Sequence, residues 1–242
     1  MIPRIIHFSW LGHGPRPSSV ERCIATWRRY LPSYQIMEWN EENFDIHSSP
    51  YVEEAYNRRK YAFVSDVIRG RALYDHGGIY LDTDVEVLKS FDPLLQYRSF
   101  WGFEAGNFVA TSTIGAEKGH ELIKAYLDRY ANRYFLLPDG SCDVTTNVTV
   151  VTNLLRERGL NLDNSRQLIG NNNVIFPQSW FSPYDYRIGK LHNLSDAYAI
   201  HHFAVTWSSP MARSISAAKR YASGIPGASN LISFLHSMMG RK

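Results

Sequence analysis

Residues 61–84 constrain this chain more than any other stretch. A helical pattern runs through Ser65-Asp66-Val67-Ile68-Arg69 and Leu73-Tyr74-Asp75-His76 and stops at Gly77-Gly78. The apolar Ile79-Tyr80-Leu81 follows, and then the acidic pair of Asp82-Thr83-Asp84. Glycine at a helix C-terminus supplies the left-handed turn that ends it, so the spacing predicts helix, tight turn, strand and acidic pair. Side chains alternate along a strand with a period of two. Asp82 and Asp84 therefore point the same way and Thr83 the other. Two carboxylates aligned at a strand end can reach one hard cation, Mg²⁺ or Mn²⁺, which takes carboxylate oxygens and keeps positions open for phosphates. An Asp-x-Asp by itself also reads as a solvated turn, and here the helix and the Gly-Gly turn favour the metal site. Asp66 and Arg69, three apart, share a helix face. They form either an ordinary surface ion pair or a pair beside the carboxylates that grips ligand hydroxyls.

The rest of the chain reads as alternating helices and short strands, an α/β pattern. Strands are expected at 2–8, 34–39, 79–88, 100–104, 109–114, 174–176 and 197–203. Helices are expected at 18–31, at 50–76 with a break near Asn57, at 117–134, and from 145 through 155. An aromatic loop spans 177–183. Trp27 falls on the apolar stripe of its helix and is expected in the core. Trp10, at the end of the first strand, is placed equally well for the core or for stacking on a base. Asn40 reads as a turn former before a contact to base or ribose. Asn147 is either part of a helix cap or a contact to a sugar hydroxyl.

At 242 residues the chain fits one large domain. A net charge of +3 is too small to argue for nucleic acid. Cys23 and Cys142 lack metal-site spacing and suit free thiols in a reducing compartment. With no apolar run of membrane-spanning length and no signal-like N-terminus, a cytoplasmic location is expected. Residues 197–242 contain no Asp or Glu but carry Arg213, Lys219, Arg220, Arg241 and Lys242 beside an apolar stripe. This basic tail, 211–242, is expected either to pack on the domain or to lie on an anionic membrane surface.

Tyr61-Ala-Phe-Val-Ser-Asp-Val-Ile-Arg69 followed by Gly77-Gly-Ile-Tyr-Leu-Asp-Thr-Asp84 resembles the DXD region of family 32 glycosyltransferases. That family includes capsule and O-antigen transferases and Och1-type mannosyltransferases, and the glucosylating domains of large clostridial toxins carry a similar region. The likeness is looser at residues 2–12 and 200–207. It implies a GT-A architecture over 1–210: one Rossmann-like domain around a central, mostly parallel sheet. It also implies transfer of a sugar from a nucleotide-sugar, UDP before GDP, to a glycan or lipid-linked glycan in surface polysaccharide synthesis, with retention of configuration and with Mn²⁺ or Mg²⁺. Asp66, Arg69, Asp82 and Asp84 are the expected catalytic residues. Trp10, Tyr80, Asn147 and Trp207 join Asp66, Arg69 and Asp82 in donor binding, and Glu104 falls in a region that faces the acceptor. The paired His201-His202 before Trp207 fits a third metal ligand. Adjacent strand residues face opposite ways, and His202, nearer the strand end, is the expected partner of Asp82 and Asp84. Two other classes stay open: a metal-dependent phosphohydrolase and a binding protein without turnover.

Overall fold

The computed structural model describes residues 1–204. Trp207 and the basic tail lie outside the described residues. Strand β1 (Ile5–Ser9) leads to helix α1 (Ser18–Tyr30), strand β2 (Gln35–Trp39), helices α2 (Pro50–Asn57) and α3 (Tyr61–His76), and strand β3 (Gly78–Leu81). Strands β4 (Val85–Val87), β5 (Ser99–Glu104) and β6 (Phe108–Ala116) precede helices α4 (Glu121–Asp128) and α5 (Asn147–Arg156). Strands β7 (Gln167–Ile169) and β8 (Asn173–Phe176), helix α6 (Gln178–Phe181), and strands β9 (Tyr184–Asp185), β10 (Lys190–Leu191) and β11 (Ala199–His201) complete the order.

Seven strands form one sheet in the order β2-β1-β3-β6-β5-β8-β7. Five of them point the same way, and only β6 and β7 run against the rest. The chain is thus α/β with a central, mostly parallel sheet, as expected. The C-terminal ends of β1, β2 and β3 lie side by side, the edge at which open α/β sheets gather ligands.

Strand alternation divides the core in two. Tyr80, Trp101, Phe103 and Ile114 face helices α2 to α5, where Tyr51, Val64, Ile68, Leu73, Tyr126 and Leu155 are buried. Ile6, Phe8, Ile79, Leu81, Phe100 and Phe176 face the other way, against Val20, Ile24 and Trp27 of α1 and against Val85, Val87 and Ala199. Trp27 is fully buried, as its stripe predicts, and donates its indole N–H to Val85 O at 2.7 Å.

The Gly-Gly turn is fixed by sterics and by one histidine. Gly78 has φ +110°, and a Cβ there would stand 2.6 Å from Ile5 O. Only glycine tolerates both the conformation and the close approach of β1. His7 of β1 is buried and donates from Nε2 to Gly77 O (2.8 Å), while its Nδ1 accepts from Trp39 Nε1 (3.1 Å). Burial lowers the His7 pKa to about 4, so the ring stays neutral as those two bonds require.

Three expectations about elements are corrected. Strand β3 does not continue through 85–88. The chain turns at Asp82–Asp84, with Val85 N bonding Asp82 O at 3.0 Å, and β4 pairs with β11 in a separate two-stranded ribbon. That turn lets Val85 and Val87 pack against α1. The helix expected at 117–134 is helical only as α4, because His120 caps it by accepting from Leu122 N at Nδ1 (3.1 Å). The aromatic loop at 177–183 contains the short helix α6. The break near Asn57 is present, with Arg59 at φ 56° between α2 and α3.

Candidate active site at the end of strand β3

Helix α3 places Asp66 and Arg69 toward the sheet, and both are buried rather than on the surface. Arg69 Nη2 lies 3.5 Å from Asp66 Oδ1 and 3.1 Å from Asp82 Oδ1, so one guanidinium joins helix to strand end. Arg69 also donates from Nη1 to Thr111 O of β6 and stands over the Tyr80 ring, 4.7 Å from its centroid. Tyr80 is buried and its hydroxyl meets Ser9 Oγ at 2.9 Å, which ties the end of β1 to β3.

Asp66 gathers two further constraints. Asn147 Nδ2 donates to its Oδ1 at 2.5 Å, and Tyr126 Oη donates to its backbone carbonyl at 2.8 Å. Burial pushes the Asp66 carboxyl up to about 7, against the pull of Arg69 and with added repulsion from Asp82. Asn147 is the first residue of α5, and Thr146 is the cap whose side chain accepts from Thr149 N. The cap therefore belongs to Thr146, and Asn147 turns its amide to Asp66 instead.

Asp84 lies across from this pair. Its Oδ1 is 3.4 Å from His201 Nε2, and its Oδ2 accepts from Ala204 N at 2.7 Å. Burial alone would raise the Asp84 carboxyl; the His201 ring and these hydrogen bonds outweigh burial and hold it at about 2. Burial alone would lower the His201 pKa, and Asp84 beside it turns the shift upward. The ligand atoms of Asp82, Asp84 and His201 all lie within 4.8 Å of one another. Two carboxylates and an imidazole suit Mn²⁺ or Mg²⁺, so these residues fit the implied divalent cation.

The choice of His202 is corrected by this geometry. Adjacent residues of β11 do face opposite ways, but with the opposite phase to the expected one. His201 pairs in register with Val85 and turns to Asp84. His202 turns outward, and its Nε2 meets Glu86 Oε2 at 2.9 Å. The structure therefore brings together Asp66, Arg69, Tyr80, Asp82, Asp84 and Asn147, with His201 in place of His202. Trp10 is half-buried at the end of β1 and bonds Gly14 O through Nε1 (2.7 Å). It lines a neighbouring open cleft with Arg16, Glu38, Asn40 and Glu41. Asn40 accepts from Glu42 N at 2.9 Å, which is the turn-forming role expected of it. Sequence reasoning missed Tyr126 and Ser9. Each sits in an ordinary periodic pattern, and nothing in the sequence marks its hydroxyl as part of the site.

Residues 17–101 match the family described as "Glycosyltransferase sugar-binding region containing DXD motif". The chain is 29% identical over 143 residues to inositol phosphoceramide mannosyltransferase 3 of Schizosaccharomyces pombe, covering 55% of this chain and 39% of that protein. It is 24% identical over 168 residues to subversion of eukaryotic traffic protein A of Legionella pneumophila, covering 55% of this chain and 26% of that protein. The chain thus spans well under half the length of these relatives. Among solved structures, a glycosyltransferase involved in the glycosylation of the major capsid of PBCV-1 matches with TM-score 0.51 and 13% identity, covering 92% of this chain and all (100%) of that one. The PaToxG glycosyltransferase matches with TM-score 0.50 and 19% identity, covering 64% of this chain and 69% of that one. These neighbours show the fold, that of the GT-A glycosyltransferases.

Proposed function

We propose, from the match of residues 17–101 to the glycosyltransferase family with a DXD sugar-binding region, that the chain transfers a sugar from a nucleotide-sugar to a glycan or lipid-linked glycan. One observation carries the reading: Asp82, Asp84 and His201 converge within 4.8 Å directly beside the buried Asp66–Arg69–Asn147 network. Asp84, directly, and Asp82, directly or through water, would hold a divalent cation with His201. When bound, that cation supplies Lewis-acid stabilisation of charge on the departing diphosphate. Binding it requires the His201 ring to give up its proton, because a nitrogen that carries a proton has no lone pair for a ligand bond.

The chain's own groups do the positioning. Arg69 is held by Asp82, Asp66 and the carbonyl of Thr111, so its guanidinium enters the reaction already oriented. Asp66, fixed by Asn147 and Tyr126, offers carboxyl oxygens to the hydroxyls of the donor sugar. Trp10 at the end of β1 would meet the base. Among the described residues no side chain stands as an evident covalent nucleophile, and attack by the acceptor on the face of departure, with retention, fits that arrangement.

The test is a thermal-shift panel of UDP-, GDP- and CDP-sugars with Mn²⁺ or with chelator, followed by assay of donor cleavage. Ligand that binds the native state raises its stability by mass action, about 2.7 kcal/mol at a hundredfold excess over Kd. The expected result is a Mn²⁺-dependent shift with one nucleotide class and cleavage of that sugar. Phosphodiester hydrolysis without any response to nucleotide-sugars would overturn the proposal.

A further inference from the structure

His201 reaches Asp84 through Nε2 at 3.4 Å, and the other side of its ring makes no hydrogen bond. Nδ1 is buried and has no hydrogen-bond partner among the described residues. A metal-binding histidine ordinarily donates that second N–H to a carboxylate or a carbonyl, which fixes the ring. The χ2 torsion of histidine is broad, so a ring without such a bond turns easily unless something packs on it.

Phe203 packs on it. The two ring centroids lie 3.8 Å apart with the planes 34° from parallel. The Phe203 ring also meets Tyr186 at 4.5 Å and lies 6.4 Å from Tyr184. Both tyrosines belong to the β9–β10 hairpin, where Tyr184 pairs with Leu191 and Tyr186 begins the turn. Tyr184 is buried and Tyr186 half-buried, so the hairpin stands as a wall behind the phenylalanine.

The backbone puts the ring there at a cost. Phe203 has φ 48°, in the left-handed region that residues other than glycine seldom enter. On either side of it the chain grips Asp84: His202 N donates to Asp84 O at 3.1 Å, and Ala204 N donates to Asp84 Oδ2 at 2.7 Å. One turn thus wraps the carboxylate and folds the Phe203 ring against His201. Backbone strain of this kind persists only where the surroundings hold it, and it gathers at functional sites.

We propose that Phe203 is a positioning residue for the cation site: its ring, backed by Tyr186, takes the place of the missing hydrogen bond at Nδ1 and holds the His201 imidazole with Nε2 toward Asp84. The assignment rests on the glycosyltransferase reading above, in which His201 is a ligand, and adds how that ligand is oriented. Phe203 acts through His201 alone.

Calorimetric titration of the full chain with Mn²⁺ alone tests it. Phe203→Leu keeps a Cβ in the left-handed turn and removes the flat ring, whereas Phe203→Tyr keeps the ring. Loss of the support behind a metal-binding histidine costs about 10–100-fold in affinity, so Phe203→Leu should raise the Mn²⁺ Kd about tenfold or more, and Phe203→Tyr should restore it to within about threefold of the wild type. The same Phe203→Leu change is then made in a His201→Ala background, where a residue that acts through His201 has nothing left to position and should move the Kd by less than about twofold. An unchanged Kd in the wild-type background overturns the assignment. An equal loss in both backgrounds overturns it as well, because Phe203 would then support the fold or Asp84 rather than the histidine. Melting without metal verifies folding. Should Phe203→Leu not fold, Tyr186→Ala removes the backing ring from the hairpin and runs through the same two backgrounds, with the same expected pattern and the same overturning results. A wild-type protein that takes up no Mn²⁺, or that takes it up equally after Asp84→Asn, overturns the parent cation site instead, which separates the two failures.

Discussion

At the scale of single residues the site turns on which groups touch Asp84. Its carboxyl is held at about 2 by His201 and by the N–H of Ala204, so it remains a charged ligand at any working pH. Asp84→Asn removes that charge and should abolish the Mn²⁺-dependent rise in melting temperature. The two histidines give a sharper contrast. His201→Ala should weaken Mn²⁺ binding by about tenfold or more, whereas His202→Ala, whose ring meets Glu86, should leave it intact. Calorimetric Mn²⁺ titration of the two variants checks this, and the reverse ranking would return the ligand role to His202. The acidic pair was legible in the sequence because a helix, the Gly77-Gly78 turn and an apolar strand lead into it; alone it reads equally as a solvated turn. The phase of the histidines was not legible. It depends on His201 standing opposite Val85 in the β4–β11 ribbon, a pairing between segments far apart in the chain. Glu104 was visible as a carboxylate at a strand end, but its burial and its neighbours come only from the hairpin and ribbon that fold around it.

At the scale of elements, the α3–β3 unit carries the site, and the Gly77-Gly78 turn sets its register. Gly78→Ala places a Cβ 2.6 Å from Ile5 O at φ +110°, and backbone, unlike a side-chain end, does not move aside. The expected cost is about 2–4 kcal/mol, read as a lower urea midpoint with an unchanged slope. An unchanged midpoint would show that β1 and β3 separate easily. Local chemistry makes this unit readable: a glycine pair ends a helix whatever packs around it, and the apolar run after it has no choice but a buried strand. The element borders that differ are those decided by distant contacts. Strand β4 leaves the sheet because Val85 and Val87 find α1, and Trp27 secures the turn through Val85 O. Strand β7 joins the edge of the sheet only because β8 is there to pair with it. Neither event has a signature in the residues beside it.

At the scale of the whole molecule, the site opposes the stability of the fold that holds it. Burial places the Glu104 carboxyl at about 7 from an ordinary 4.5, with Asp82 adding to the rise, and Asp66 at about 7 from 3.8. A raised carboxyl pKa means that the folded protein keeps a proton which the unfolded chain releases. Below the unfolded value both states hold the proton and the group contributes nothing. As pH climbs from about 4.5 to about 7 the unfolded state is favoured progressively, and above 7 the full penalty is present. For Glu104 the displacement corresponds to about 3 kcal/mol at most. His7 works in the other sense: held neutral at about 4, it costs stability as pH falls below its unfolded value of 6.5. Raw pH profiles therefore mix opposing slopes, and a difference between two proteins is needed. Glu104→Gln carries the same His7 and Asp66, so their contributions cancel. The variant should match the wild type near pH 4.5 and melt above it by up to about 6–12 °C at pH 8, since 1 kcal/mol moves a domain of this size by about 2–4 °C. Scanning calorimetry at the two pH values reads the difference directly. An equal gap at both would mean that Glu104 titrates like an exposed carboxylate and is not buried in solution. A gap that opens with pH would show that the fold bears a standing cost at this position.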